Sequence, residues 1–299
     1  MNKHILILST AIILSAAPSY AWTPCGTDAQ GSKANCEYEV TNGTLTIRGT
    51  GSNGNVGTWD TDTLPWKDNF LTNVVIDNSI KDLGYLGFWS IESQNPIIVP
   101  SSVTIIGSHA FYSTPTTEII LPNTITSIEK EAFAWSRINQ ITIPNSVQTI
   151  APEAFRATKL TEVIIPDSVE RIGNAAFSRC YDLQSIVIGP NTQLGNIFAS
   201  EVDDAGICYI TLNTLKMYCA ESNKQTCVDA LKAANATDEQ IANIIQPYTK
   251  EGNRYVIGDQ KFRSLSDMQK GLNAVKRIYT VDEANMASGK KNTVMIRYK

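Results

Sequence analysis

Histidine is nearly absent from this chain of 299 residues, which contains only two. One of them, His4, lies in an apolar N-terminal segment, so His109 is the single histidine of the remaining chain. Ser-His-Asp triads, Cys-His pairs and histidine-rich metal sites all need this side chain, which is the usual acid–base group near neutral pH. The shortage therefore argues against these classes of active site.

Several short motifs for metal binding, phosphate binding or attachment to the cell wall are also missing. The sequence has no Cys-x-x-Cys pair of the kind that holds zinc. The glycine-rich stretch GTGSNGNVGTWD lacks the Lys-Ser/Thr and the following helix of a phosphate-binding loop, and Asp60 and Asp62 are too few carboxylates for a calcium site. No LPxTG motif is present for attachment to a cell wall. We predict neither a metal nor another cofactor.

The long apolar run that would span a membrane is missing as well. In MNKHILILSTAIILSAAPSYA, a basic Lys3 precedes an apolar run from Ile5 to about Ala17, and small residues follow at Ser19 and Ala21. This arrangement is typical of a secretory signal peptide, here residues 1–21, cleaved before Trp22. A membrane anchor would need about 20 apolar residues. We therefore expect an exported protein that is periplasmic, on the outer surface or secreted.

Cysteine is present in a pattern that fits export. The residues after the signal peptide include six cysteines: Cys25, Cys36, Cys180, Cys208, Cys219 and Cys227. An exported chain can form disulfides. The short spacings favour Cys25 with Cys36 and Cys219 with Cys227, although six cysteines allow fifteen pairings.

A repeat of 22 residues dominates the middle of the chain. Four columns keep this step, and they are Pro100, Pro122, Pro144 and Pro166; Phe111, Phe133, Phe155 and Phe177; Val103, Ile125, Val147 and Val169; and Ile106, Ile128, Ile150 and Ile172. Imperfect copies at 74–88 and 186–198 bring the number of coils to six, and Leu212 to Cys219 could supply a seventh.

Each unit predicts one strand, one turn and one return segment. A β-branched run precedes each proline and favours a strand. Proline ends the strand because it has no N–H for the next rung, and Asn, Ser or Asp then favours a turn. The Ala-Phe end returns the chain and places its ring inside. One unit cannot bury its own apolar face, so the repeats predict a solenoid whose stacked coils form the core.

The form IxIPxSVxxIxxxAFxxxxLxxI resembles the BspA-like, or Treponema pallidum-type, leucine-rich repeat over roughly residues 71 to 200. The resemblance implies a β-rich leucine-rich-repeat solenoid in a bacterial exported or surface protein linked to adhesion and protein binding. The family often has Cys shortly after the Phe. Here only Cys180 keeps it, whereas Thr114, Ser136 and Thr158 replace it. Cys180 is therefore expected to be a buried free thiol.

The middle residue of each strand triplet is expected to point outward from the sheet. These residues form a stripe of Val75, Ile98, Ile120, Thr142, Ile164 and Val187, and Lys216 would end it in the seventh strand. Contiguous exposed apolar surface usually contacts something. The alternative is that neighbouring side chains cover each position, or that the repeat simply favours isoleucine there. We predict that the stripe binds a protein or glycan partner.

Two sets of polar residues within the repeats offer little for catalysis. His109 corresponds to Glu131 and Glu153 in the next coils, so we expect it at a variable, exposed site without a catalytic role. Glu118 and Glu162 share a column two coils apart, roughly 9–10 Å by strand spacing, which is the edge of the range for a carboxylate pair. A solvated face explains them better, and we predict that the protein is not an enzyme.

Both ends of the chain differ from the repeats. EYEV and TLTIRG around Asn42-Gly43 predict a hairpin, and Thr237 with Gln240 predicts a capping box on the second of two helices. Residues 250–299 hold 11 Lys and Arg against 5 Asp and Glu, net +6, which leaves −10 for residues 1–249. The predicted divisions are an N-terminal β cap at 22–70, a solenoid at 71–219, a helical segment at 220–250 and a basic α+β tail at 251–299.

Three functions remain open from the sequence. The first is an exported binding protein, in adhesion for example, that uses its exposed sheet face. The second is a structural or envelope-assembly protein attached through the basic tail. The tail would contact an anionic envelope component, and the repeats would face away from that component. The third is an enzyme with an unrecognised C-terminal active site. Nucleic acid is not expected as a partner, because only the tail is basic and the chain is exported.

Overall fold

The computed structural model describes residues 22–25, 35–52, 54–57, 66, 71–198, 212 and 214–272. The predicted signal peptide, Asp60, Asp62, Cys208 and residues 273–299 of the tail lie outside these ranges. Among the described residues, no helix is both long enough and apolar enough to cross a membrane.

The N-terminal cap is the predicted hairpin, and it extends the sheet of the repeats. Its strands are β1 (Thr23–Pro24), β2 (Cys36–Thr41), β3 (Thr44–Gly49) and β4 (Gly54–Asn55). β2 and β3 pair antiparallel around Asn42 and Gly43, whose positive φ angles of 51° and 74° suit a tight Asn-Gly turn. Leu45 and Ile47 are fully buried, and a disulfide joins Cys25 to Cys36.

The repeats form a solenoid in which most coils contribute two short strands. The strands are β5 (Asn73–Ile76), β6 (Ile80–Asp82), β7 (Ile97–Ile98), β8 (Ile105–Ile106), β9 (Ile119–Ile120), β10 (Ser127–Ile128), β11 (Thr149–Ile150), β12 (Glu162–Ile164), β13 (Arg171–Ile172), β14 (Ser185–Ile188) and β15 (Gln193–Leu194). β7, β9 and β12 are the predicted strands before Pro100, Pro122 and Pro166, whereas the run before Pro144 forms no strand and only the bridge of Gln140 to Glu118 lies beside it. Together with β5 and β14, these strands line one side of the solenoid, here called the first sheet. β8, β10, β11, β13 and β15 form a second parallel sheet, which the prediction of one strand per coil missed.

Side-chain hydroxyl groups explain why Ser or Thr recurs before the Val or Ile of the turn. Each Pro-x-Ser/Thr-Val segment closes a turn, as when the amide of Val147 donates to the carbonyl of Pro144 at 3.1 Å. In several coils the hydroxyl group at this position donates to a backbone carbonyl of the preceding coil: Thr124 to Val103 at 2.8 Å, Ser146 to Ile125 at 2.6 Å and Thr192 to Val169 at 2.9 Å. The buried Ser168 hydroxyl group is an exception. These bonds tie one coil to the next inside the turn.

A ladder of phenylalanine rings runs through the core. Phe88, Phe111, Phe133, Phe155 and Phe177 are fully buried, and the centroids of neighbouring rings lie 5.3 to 5.5 Å apart. This distance is close to the spacing of strands, about 4.8 Å, so each coil adds one ring to the stack. Trp66 stacks on Phe88 at 6.3 Å and closes the N-terminal end of the ladder.

Two residues of the column that the family fills with Cys donate buried hydrogen bonds to the backbone. The hydroxyl group of Thr114 donates to the carbonyl of Phe88 at 3.1 Å, and the thiol of Cys180 donates to that of Phe155 at 3.1 Å. Thr158 lies 3.3 Å from the Cys180 sulfur. A hydroxyl and a thiol can fill the same role, so replacing Cys leaves the coil intact. Cys180 is buried and free, as expected, and burial raises the pKa of its thiol to about 11.

The C-terminal part adds helices and further strands. It contains β16 (Lys216–Ala220), α1 (Lys224–Ala233), α2 (Asp238–Ile244), β17 (Ile245–Glu251), β18 (Arg254–Ile257) and β19 (Gln260–Phe262), and residues 265–272 are helical. β16 pairs parallel with β14, so the seventh strand exists. Thr237 and Gln240 form the predicted capping box, and a disulfide joins Cys219 to Cys227. β17 crosses the predicted boundary between residues 250 and 251.

The ring ladder predicts a large cost for removing one ring. Phe155→Ala should lower the free energy of unfolding by about 3–5 kcal/mol, because the ring is fully buried between two others. His109→Ala, outside the ladder, should cost no more than about 1 kcal/mol. Urea unfolding curves measure both. Equal midpoints for the two variants would contradict the assignment of the Phe column as core.

The buried thiol predicts slow chemical labelling. With a pKa of about 11, Cys180 is almost entirely protonated at pH 8, and the thiolate is the reactive form. Iodoacetamide should leave Cys180 unmodified in the native protein and modify it after unfolding in urea. Peptide mapping of the labelled protein without reduction should also show Cys25 linked to Cys36 and Cys219 linked to Cys227. Rapid labelling of native Cys180 would show that the thiol is accessible.

Candidate functional site

The predicted stripe on the first sheet is exposed along its N-terminal half and covered at its C-terminal end. Val75, Ile98 and Ile120 are 46%, 60% and 44% exposed, and Thr142 is also exposed. Ile164 is half-buried. The expectation that Val187 faces solvent is wrong, because its side chain is 0% exposed.

The residues 245–272, here called the C-terminal module, cover the end of this face. Together with the last strands of the repeats they form a second small core of Val187, Tyr218, Ala220, Tyr248, Tyr255, Leu265 and Met268, with Ile164, Ile257, Phe262 and Leu272 at its margin. The described part of the tail, residues 251–272, therefore packs on the repeats. The outward neighbour of Val187 is Tyr218, whereas Lys216 aligns with Ser185.

Polar contacts fix the C-terminal module on the sheet. The Asp167 carboxylate accepts hydrogen bonds from the Lys250 ammonium group and from the Tyr255 hydroxyl group, the latter at 2.6 Å. Burial, followed by the bond to Asp167, raises the pKa of Tyr255, and the same carboxylate raises the pKa of Lys250. The Tyr248 hydroxyl group donates to the carbonyl of Ile188 at 2.6 Å, and burial raises its pKa. Both tyrosines therefore act as neutral donors.

A groove of about 820 Å³ lies where the sheet meets the C-terminal module. Its floor includes Gln140, Thr142 and Ile164, and its far wall includes Arg263 and Lys270. A smaller depression of about 340 Å³ shares Gln140 and Thr142 and extends to Glu118 and Ile120. The two form a continuous path from the exposed Ile120 to the C-terminal module.

Some of the charged side chains around the groove form ion pairs with each other, and others do not. Lys250 pairs with Asp167, and Lys261 pairs with Glu251. Within the described part of the chain, no acidic side chain forms an ion pair with Arg263 or Lys270. On the floor, Glu162 lies near Tyr218, and its charge adds to the effect of burial in raising the pKa of that tyrosine. The wall can therefore attract an anionic group of a ligand.

The side chains brought together here suit binding better than acid–base chemistry. Glu118 pairs with Gln140, a neutral amide, in the adjacent coil. Among the described residues, no three or more His, Cys, Asp or Glu side chains cluster in a way that could hold a metal ion. The groove instead offers an apolar half, an amide and hydroxyl floor, and a basic wall.

His109 differs from the exposed residue that the sequence suggested. Its φ of 58° is left-handed, as are those of Glu131 at 55° and Glu153 at 59°. The ring centroid lies 4.9 Å from that of Tyr85 and 5.4 Å from that of Tyr112. Nε2 is 3.4 Å from the Glu131 carboxylate, and the side chain is 19% exposed. The histidine is a partly buried member of the turn, away from the groove.

Comparison with known families agrees with this geometry. Residues 66–193 match a BspA type Leucine rich repeat region in six copies. The repeats of this chain belong to the BspA-type leucine-rich repeat family. The matched BspA-type region contains the first sheet from Leu71 onward and the exposed stripe as far as Val187. The C-terminal module lies outside it.

Several solved structures are similar to the chain. A leucine-rich repeat protein from Eubacterium ventriosum is 23% identical, with a TM-score of 0.41, over 64% of this chain and 43% of that one. One from Bacteroides ovatus is 20% identical, with a TM-score of 0.38, over 62% and 48%. The leucine-rich repeat protein of T. pallidum is 17% identical, with a TM-score of 0.35, over 64% and 71%. The match spans less than half the length of the first two. No curated protein matches this chain.

The Asp167 contacts predict that one carboxylate holds the C-terminal module against the sheet. Asp167→Ala should raise hydrogen exchange of the β18 and β19 amides at least tenfold, because bonds to a charged group contribute about 1.5–3 kcal/mol. Glu251→Ala is the matched control, since its pair with Lys261 joins two half-exposed side chains on β17 and β19 within the C-terminal module itself. Unchanged exchange in Asp167→Ala, or equal effects of both variants, would show that the apolar contacts alone hold the module.

Proposed function

We infer that this chain is a non-enzymatic binding protein that holds an extended, acidic segment of a protein partner on the first sheet. The observation that carries this proposal is the continuous groove that runs from the exposed Ile120, next to its strand neighbour Ile98, to Arg263 and Lys270. Neither of these two basic residues has an ion-pair partner in the described part of the chain. Exposed apolar surface next to a polar rim is typical of interaction sites.

The spacing of the floor suits an extended peptide that runs along the stack. From Ile98 to Ile164 the stripe crosses three coil steps, about 14 Å at the usual strand spacing. An extended peptide covers this length in about four residues at roughly 3.3 Å each. Its alternate side chains would contact Ile98 and Ile120, then the Thr142 hydroxyl group. An acidic side chain or a terminal carboxylate could then reach the basic wall.

A protein segment fits this groove better than a glycan does. Sugar rings commonly stack on exposed aromatic side chains, and the residues lining the groove include one aromatic residue, Tyr255. Tyr255 is largely buried, and its hydroxyl group donates to Asp167. Three other aromatic side chains, Tyr85, Trp135 and Tyr181, are exposed but do not line the groove. The β-branched residues on the floor instead suit the aliphatic side chains of a peptide.

Export is part of the proposal. The N-terminal segment has the pattern of a signal peptide, and the two disulfides are typical of proteins outside the cytoplasm. Attachment to an anionic envelope component through residues 251–299 stays a prediction. Its described part packs on the sheet, and six of its basic residues lie beyond residue 272.

A random peptide library displayed on phage tests the binding surface. Mature protein, residues 22–299, should enrich peptides that combine alternating aliphatic residues with carboxylates near one end. A synthetic peptide of the enriched sequence should bind the double variant Ile98→Asp, Ile120→Asp at least tenfold more weakly. Arg263→Gln with Lys270→Gln should weaken binding and reduce its dependence on salt, because screened ion pairs are lost.

Ile105→Asp is the matched control for the isoleucine variants. Ile105 is 47% exposed, similar to Ile120, but belongs to the second sheet. It should leave peptide binding unchanged. The proposal would fail if the enriched peptides carry no carboxylates, or if they bind the Ile98 and Ile120 double variant as tightly as the wild type.

A further inference from the structure

Trp135 lies at a position where the fold does not require a large ring. Equivalent residues of neighbouring coils are Ser113 and Ala157, and all three have left-handed backbones with φ of 55° to 62°. Such a conformation is unfavourable for a bulky side chain. The indole is 43% exposed, so burial compensates only in part. Neither backbone preference nor core packing explains a tryptophan here.

Two arginine side chains flank the indole. The guanidinium carbons of Arg156 and Arg179 each lie 5.7 Å from the Trp135 ring centroid, within the range of a cation–π attraction. By contrast, the guanidinium of Arg48 lies 3.7 Å from the Trp22 ring and stacks on it directly. At 5.7 Å the flanking groups stay close to the Trp135 ring while much of its surface remains open to solvent.

The backbone ladder fixes how these side chains are placed. The amide of Trp135 donates to the carbonyl of Arg156, and the amide of Ala157 donates to that of Ser178, so successive coils are in register. Ala157 therefore lies between Trp135 and Arg179 in one column. Its single methyl group leaves a notch between the indole and the Arg179 backbone, and the Arg179 side chain extends across this notch toward the indole.

The charge around the notch is positive. Arg156 is held by an ion pair with Glu153, and both side chains are largely buried. Arg137, two residues after Trp135, is exposed. Among the described residues it has no ion-pair partner. The side chains that face solvent here therefore combine one open aromatic surface with guanidinium groups.

We propose that Trp135, Arg137 and Arg179 form a second binding site, for a pyranose that carries a carboxylate, such as a uronic or sialic acid residue of a glycan. The C–H face of the sugar would lie on the indole, which offers a flat, apolar surface. The carboxylate would accept two parallel hydrogen bonds from a guanidinium group, a geometry that arginine provides and lysine does not. A sugar needs only one ring face, whereas a protein partner would need a wider apolar surface than the flanking Ser113 and Ala157 give. This site is separate from the groove and does not depend on the proposed function.

Matched acidic and neutral sugars test the site. Isothermal titration of the mature protein with 3′-sialyllactose and lactose, and with trigalacturonic acid and its methyl ester, should show binding of at least one acidic sugar. Its neutral counterpart should bind at least tenfold more weakly. Trp135→Ala and Arg179→Gln should each weaken binding of the acidic sugar at least tenfold. Trp135→Ala should fold normally, because Ala157 occupies the same position one coil later.

Tyr85→Ala is the matched control, because Tyr85 is another aromatic residue, 49% exposed, near the first coil. It should leave sugar binding unchanged. Equal binding of acidic and neutral sugars would overturn the proposal, as would full binding by Trp135→Ala. Vesicles containing phosphatidylserine serve as a further probe. If these vesicles bind through Trp135 and none of the sugars does, the surface contacts lipid head groups and the glycan proposal is wrong.

Discussion

Each coil of this protein depends on the next to bury its ring. A single coil of 22 residues offers one phenylalanine, a few aliphatic side chains and unpaired backbone groups, which is too little for a core of its own. Stacking of coils buries the apolar side chains and pairs the backbone groups at the same time. Phe133 contacts Phe111 and Phe155, the Ser146 hydroxyl group reaches the carbonyl of Ile125, and the short strands pair in two ladders. The N-terminal hairpin covers the first coil and the C-terminal part covers the last, where this stacking stops.

The sequence was most informative where a residue type serves the stack directly. The columns of Pro, Val and Phe could be assigned from spacing alone, because each must return to the same place in every coil. The Asn42-Gly43 hairpin and the Thr237 capping box were also predictable, since each is a local arrangement with its own residue preferences. The exposed Val75, Ile98 and Ile120 followed from the alternation of side chains in a strand.

The sequence was least informative where distant segments meet. The second strand of each coil is only two residues long in most coils, too short for an alternation pattern. Covering of Val187 depends on residues 245–272 folding over the sheet, and no local preference encodes which surface they contact. The groove was missed for the same reason, because Gln140 and Lys270 are far apart in the chain. One signal was available: Tyr255, Leu265 and Met268 are large aromatic or apolar residues within the segment that was interpreted as a basic tail.

Because both ends are capped, the length of the protein can change only by the number of coils between the caps. Arg263 and Lys270 belong to the C-terminal module, whereas Ile98 and Ile120 belong to the second and third coils, so the separation of the two halves of the groove is set by the coils between them. Inserting or deleting one 22-residue unit would change that separation by one step of about 4.8 Å and leave both caps as they are. Under the proposed function, the number of coils would therefore set the length of ligand that reaches both halves of the groove, in steps of one coil, without a change in any residue that contacts the ligand.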